Sequence, residues 1–117
     1  MDKLRVGLIG CGGIAAVHAK ALGTIGEVKL EAFADIVEDK AKTFSAQYGG
    51  RDYTDWHEML DKEKLDIVYI SLPPFTHEDE VNVAAEKGVN IFIEKPIALD
   101  MKLARRMVRA VEKYDII

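Results

Sequence analysis

The stretch LRVGLIGCGGIA, Leu4 to Ala15, decides the fold. Its first half, Leu4 to Ile9, is nearly continuous aliphatic chain, as a strand buried on both faces requires. Its second half, Gly10-Cys11-Gly12-Gly13-Ile14-Ala15, fits G-x-G-x-x-G/A with alanine in the last place. The pattern alone is weak. Placed between a strand and a helix it becomes a dinucleotide-binding signal. Gly10 lets the chain turn tightly, because glycine reaches positive φ without steric cost. Gly12 has no Cβ, so main-chain N–H groups can come close to a pyrophosphate. The helix that starts near Gly13, with Ile14 in its first turn, aims unpaired N–H groups and its positive dipole end at the same anion. Ala15 is small enough for that helix to pack on the strand. The plain alternative is a strand-to-helix turn that happens to be glycine-rich.

Working outward, the chain alternates strand and helix. Val28 to Ala34 reads as a second strand, and residues 37–48 as a helix whose Val37, Ala41, Phe44 and Tyr48 share one face. Gly49 stops it. Arg51 to Tyr53 is a short strand, and Asp55 an N-cap with Glu58 three residues on, ahead of a brief helix packing through Trp56, Met59 and Leu60. Leu65 to Ile70 is a buried strand. Ser71-Leu72-Pro73-Pro74-Phe75 must be a loop, since two prolines exclude regular structure. Thr76 is expected to cap the next helix, with Glu78, Asp79 and Glu80 at its dipole's positive end and Gly88 at its stop. Val89 to Ile93 is the fifth strand. Asp100 caps a last helix with Leu103, Ala104, Met107, Val108, Val111 and Tyr114 inward, and Tyr114 to Ile117 reads as the start of a sixth strand cut short.

Strict alternation with aliphatic strands means an α/β fold, a parallel sheet covered by helices on both faces. Right-handed crossovers leave few topologies, and a doubly wound Rossmann sheet in the order 3-2-1-4-5 is predicted. The 117 residues make one dinucleotide-binding domain, 1–117. Hydrophobic residues at 49% and charged residues at 31% are an ordinary globular balance, and a net charge of −4 gives no general attraction to nucleic acid or anionic lipid. No apolar run reaches the ~18 residues of a membrane span. The N-terminal apolar stretch lacks a cleavage signal, so cytoplasm is the default expectation. The single Cys11 excludes an intrachain disulfide and any multi-cysteine metal site, and no His/Cys/carboxylate cluster has metal spacing.

In such sheets ligands bind outside the carboxyl ends of the strands, and the chemistry-bearing residues fall there. Asp35 ends the second strand, where a carboxylate can accept from both adenine-ribose hydroxyls and would repel a 2′-phosphate. With Ile36 and Val37 next to it, NAD is favoured over NADP, moderated by the nearby Lys40 and Lys42. A helix N-cap is the alternative role for Asp35, and the two roles can coexist. Moving a hydride from a carbinol carbon requires removal of its hydroxyl proton, and a desolvated lysine near a cation has a lowered pKa suited to that; read from the residues alone, Lys95 at the end of the fifth strand is either such a group or a surface ammonium on a loop. His18, one turn after Ile14, reads as a packed or hydrogen-bonded helix residue. His57 is expected on a short helix away from the carboxyl edge. Cys11 is a small filler or, at a helix N-terminus, a reactive thiolate.

Gly10-Cys11-Gly12-Gly13-Ile14-Ala15, Ser71-Leu72-Pro73-Pro74 followed by Thr76-His77, and Glu94-Lys95-Pro96-Ile97-Ala98-Leu99 together resemble the glucose–fructose oxidoreductase / inositol dehydrogenase / rhizopine catabolism (Gfo/Idh/MocA) family over essentially the whole chain. The resemblance implies an NAD(P)-dependent oxidoreductase acting on sugars, inositols or related polyols. It places the residue matching Lys95 near the nicotinamide and the substrate hydroxyl, with that matching Glu94 holding the nicotinamide end. The residues matching Ser71, Leu72 and Pro73 line the cofactor groove, and the one matching His77 starts a helix facing it. Family members carry a second, substrate-binding domain built on an open antiparallel sheet, which commonly supplies an Asp and a His. That domain is absent from these 117 residues. The expectation is a cofactor half-site, catalytically incomplete alone, self-associating through the fifth strand's bare edge or an apolar face. A stand-alone nucleotide-binding regulatory or redox-sensing module is the alternative.

Overall fold

The computed structural model describes residues 3–72, 79–94 and 101–117. Five strands, β1 (Leu4–Ile9), β2 (Val28–Ala34), β3 (Arg51–Tyr53), β4 (Ile67–Ile70) and β5 (Asn90–Ile93), alternate with five helices. These are α1 (Gly13–Leu22), α2 (Glu38–Tyr48), α3 (Trp56–Lys62), α4 (Glu80–Glu86) and α5 (Met101–Lys113). All strand pairs are parallel, in the order β3-β2-β1-β4-β5, as the alternation predicts. Thr76 and Asp100, the expected caps of α4 and α5, lie outside the described residues, and Asp79 holds the N-cap place of α4.

Each face of the sheet has its own core. Val6, Leu8, Leu30 and Phe33 pack with Ala15, Ala19 and Leu22 of α1 and Ala41 and Phe44 of α2. Ile9, Ala32, Ala34, Val68 and Ile70 pack on the other face with Met59 and Leu60 of α3, Val81 and Ala84 of α4 and Met107 of α5. Leu30 and Phe33 share a face despite their odd spacing because Glu31 is skipped in the β1–β2 register, where Val6 pairs with Leu30 and Gly7 with Ala32. A bulge of this kind shifts the inward/outward alternation by one residue. Gly7 fits here because an added Cβ would meet Leu65 Cδ1 at 2.6 Å.

The helix ends follow sequence chemistry. Gly49 ends α2 in the left-handed region (φ 86°) with its N–H donating to the Ser45 carbonyl. The Asp55 carboxylate accepts from the His57 N–H at 2.9 Å and caps α3. Three expected inward residues face outward instead. Val37 is the N-cap of α2, ahead of its first helical turn, and is half exposed. Val108 is 51% exposed because one residue past the inward Met107 lies about 100° round the helix. Tyr114 follows the last residue of α5, and its exposed ring takes Lys113 Nζ at 5.2 Å from its centroid. The expected bare edge of β5 is partly covered: Ile91 N donates to the Ile117 carbonyl at 2.9 Å, and Ile117 N to Asn90 Oδ1 at 3.0 Å.

The edge strand β3 is held by a buried carboxylate. Glu63, at the C-cap of α3, accepts from Arg51 Nη2 at 2.7 Å and from the Tyr53 hydroxyl. The Arg51 guanidinium holds the Glu63 carboxyl below its ordinary 4.5. A depressed carboxylate stabilises the fold above its unfolded value and loses that contribution as pH falls through its folded value. Arg51→Met should therefore lower the melting temperature clearly at pH 7, and the deficit should shrink as the pH drops below 4.5. A deficit independent of pH would remove Glu63 as its source.

Candidate functional site

The site grows from the turn at Gly10. Its φ is +93°, and a Cβ there would stand 2.6 Å from the Ser71 carbonyl oxygen. Both the backbone angle and the space therefore demand glycine. Around it the carboxyl ends of four strands are laced together. Gly10 N donates to the Ala34 carbonyl at 2.8 Å, Ser71 N to the Ile9 carbonyl at 2.9 Å, and Glu94 N to the Ile70 carbonyl at 2.9 Å. Ser71 and Leu72 are thereby pressed against the glycine loop.

Gly12 and Gly13 differ from Gly10. Among the described residues, a Cβ on either would meet nothing within 4 Å. Gly12 is the N-cap of α1 and no side chain caps it, nor does an acidic residue occupy the first turn. An α-helix leaves its first N–H groups without intrahelical partners, so these point into the open space beside the glycines. That combination suits the pyrophosphate of a dinucleotide: unpaired donors, a positive dipole end and room that a Cβ would fill.

Asp35 borders this space. Its Oδ2 accepts from the Cys11 N–H at 2.8 Å and its Oδ1 from the Val37 N–H at 2.8 Å. Because Val37 is the N-cap of α2, Asp35 is not; the expected alternative is replaced by a brace between the glycine loop and the turn into α2. A carboxylate has about four acceptor sites, so two N–H donors leave capacity for hydroxyls. Lys42, one of the two cations weighed against NAD, is paired with Glu38 at 2.7 Å. Ile36 follows Asp35 and is 87% exposed, the largest apolar exposure beside the site among the described residues. Sequence reading used it only as a missing cation, although an apolar residue after the strand-end acid was the available signal.

Cys11 is a filler. Its thiol contacts the Ala34 carbonyl at 3.6 Å, and burial first, then the Asp35 carboxylate, pushes it up to about 12. Burial and the neighbouring carboxylate thus both oppose a thiolate at this helix N-terminus. His57 lies on the carboxyl side of the sheet, contrary to expectation, because α3 starts at Trp56 just after β3 ends at Tyr53. Its contacts are local: it stacks on Trp56 at 3.6 Å, and its Nδ1 and Asp55 Oδ1 are 2.8 Å apart. His18 is hydrogen-bonded, as read, and its partner is Glu94 at 2.8 Å. Pro73, His77 and Lys95 lie outside the described residues. Among the described residues no group of three or more His, Cys, Asp or Glu could hold a metal, and no helix is long and apolar enough to cross a membrane.

Known proteins share this fold. The family described as "Oxidoreductase family, NAD-binding Rossmann fold" matches residues 4–117. Myo-inositol 2-dehydrogenase of Thermotoga maritima is 31% identical over 115 residues, which is 97% of this chain and 34% of that protein. Glucose-6-phosphate 3-dehydrogenase of Bacillus subtilis is 32% identical over 96% of this chain and 31% of its own length. The WlbA dehydrogenase from Bordetella pertussis, solved with NADH and UDP-GlcNAcA, superposes with a TM-score of 0.92 at 26% identity, covering 99% of this chain and 35% of that one. KijD10, a 3-ketoreductase from Actinomadura kijaniata solved with NADP, gives 0.88 at 28% identity, over 98% and 36%. The chain thus spans about a third of the length of the relatives it matches. With its strand order, its glycine turn and a family match over 4–117, the chain belongs to the Gfo/Idh/MocA oxidoreductases, whose Rossmann fold binds NAD.

Proposed function

We propose that this chain forms the cofactor half of an NAD-dependent dehydrogenase that oxidises or reduces a hydroxyl-bearing carbon of a sugar, inositol or related polyol. The observation that carries it is the open, uncapped start of α1 beside Gly12, with the Asp35 carboxylate tied to the same loop. Relatives named for inositol and glucose-6-phosphate support the substrate class. The main-chain N–H groups at 12–15 receive the pyrophosphate. Asp35 accepts the adenine-ribose hydroxyls, and Ile36 offers an apolar edge to the base. Ser71 and Leu72, with Pro73 and His77, line the groove, and Glu94 lies on the nicotinamide side. Bound there, the nicotinamide supplies the hydride acceptor or donor. Lys95 takes the substrate's hydroxyl proton in oxidation and returns it in reduction. The cytoplasm, where a pool of this cofactor is at hand, is the compartment that fits.

Two glycines separate fold from binding. Gly12→Ala fills open space, so it should keep the melting temperature near wild type while NADH affinity, read by fluorescence titration, falls at least about tenfold. Gly10→Ala, strained in backbone and blocked by Ser71, should cost about 1–3 kcal/mol of stability from the backbone alone. Equal NADH binding by the Gly12 variant and wild type would sink the pyrophosphate assignment. Asp35→Ala loosens the loop for any dinucleotide, so the ratio of NAD to NADP affinity is the informative quantity. That ratio should fall, and an unchanged ratio would remove the ribose role. Association belongs to the same reading. Phe92 of β5 is 45% exposed beside a half-paired edge, so sedimentation at rising concentration should show dimers, and a strictly monomeric chain would overturn this.

A further inference from the structure

His18 stands where the two halves of the site meet. It projects from α1 onto the ends of β4 and β5, where Tyr69 and Phe92 are register partners and their rings stack at 4.7 Å. The imidazole lies against both, with centroids 5.4 Å from Tyr69 and 5.2 Å from Phe92. Its Nε2–H donates to Glu94 Oε2 at 2.8 Å, with the two side chains only 21% and 25% exposed. Glu94 is anchored in turn by its own N–H on the Ile70 carbonyl, at the carboxyl end of β5.

We propose that His18 is a positioning residue, which holds the Glu94 carboxylate and thereby ties the pyrophosphate-binding helix to the nicotinamide side of the crevice. The inference rests on the dinucleotide reading above. A doubly wound sheet places its ligand across the switch point between two halves. Asp35 on β2 marks the adenosine side, so β4 and β5 bound the other. Two aromatic neighbours restrict the imidazole's rotation, and the limited exposure weakens competition from water for its hydrogen bond. A role in packing alone would be met by any ring at this position. The donor aimed at Glu94 is what packing does not require.

The test uses His18→Phe, which keeps a ring against Tyr69 and Phe92 but cannot donate, and His18→Gln, which retains an N–H donor. Each is titrated with NADH and with ADP-ribose, which lacks the nicotinamide, and melting temperatures are recorded. His18→Phe should lose about tenfold in NADH affinity while binding ADP-ribose as wild type does, and His18→Gln should stay within about threefold on NADH. If His18→Phe binds NADH as wild type does, or loses NADH and ADP-ribose alike, the proposal is overturned. Should His18→Phe fail to fold, His18→Leu, which also lacks a donor, is combined with Glu94→Gln and the double variant is read against each single one. Additive losses of NADH affinity there overturn the coupling, and non-additive losses support it. A wild-type chain that binds neither nucleotide overturns the dinucleotide reading itself, a result distinct from the failure of His18 alone.

Discussion

Everything in this molecule that faces a ligand depends on how closely the chain passes Gly10. The central strand β1 ends there at φ +93°, with the carbonyl of Ser71 where a side chain would otherwise be. That contact joins β1 to the loop after β4, and the Gly10 N–H joins it to the end of β2. One residue without a side chain thus brings three segments from distant parts of the sequence to the same edge. A side chain at this point would have to push the Ser71 backbone away and open the groove.

The glycines of the loop impose different constraints, although in sequence they look alike. Gly10 is required by the protein's own packing, while Gly12 and Gly13 face open space and are required by no packing among the described residues. A residue kept small where the fold leaves room for more is a residue kept small for something outside the fold. The start of α1 has the same character, because Ser, Asp or Asn at Gly12 would add a side-chain cap worth a few tenths of a kcal/mol, about what glycine gives up there. Both departures lie at one spot, and an anion there accounts for both.

The strand order and the carboxyl-edge placement of the glycine loop and Asp35 were legible in the sequence, because period and glycine placement are local properties. The bulge at Glu31 was not. It shows only in the β1–β2 register, and a hydrophobic pattern of Leu30, Ala32, Phe33 and Ala34 fits a plain buried strand equally well. Val108 was misplaced because a run of apolar residues does not say which of them lies at the margin of a helical face. The Arg51–Glu63 pair and the His18–Glu94 hydrogen bond were invisible for another reason. Each joins residues on separate elements, the second pair 76 positions apart, and no periodicity encodes a partner at that range.

On the proposed reading, Asp35 connects cofactor choice to loop order. Its carboxylate already accepts from Cys11 N–H and Val37 N–H, one on each oxygen. Both are donors, as ribose hydroxyls would be, so a ligand adds to this set rather than competing with it. Each N–H also fixes the carboxylate's orientation, so less side-chain entropy remains to be lost when a ribose arrives. The same fixity turns against a 2′-phosphate, because a carboxylate held by the loop cannot swing away from the added negative charge without releasing Cys11 N–H. On that reading, discrimination between the two dinucleotides draws on the rigidity of the glycine turn as well as on the charge of one side chain.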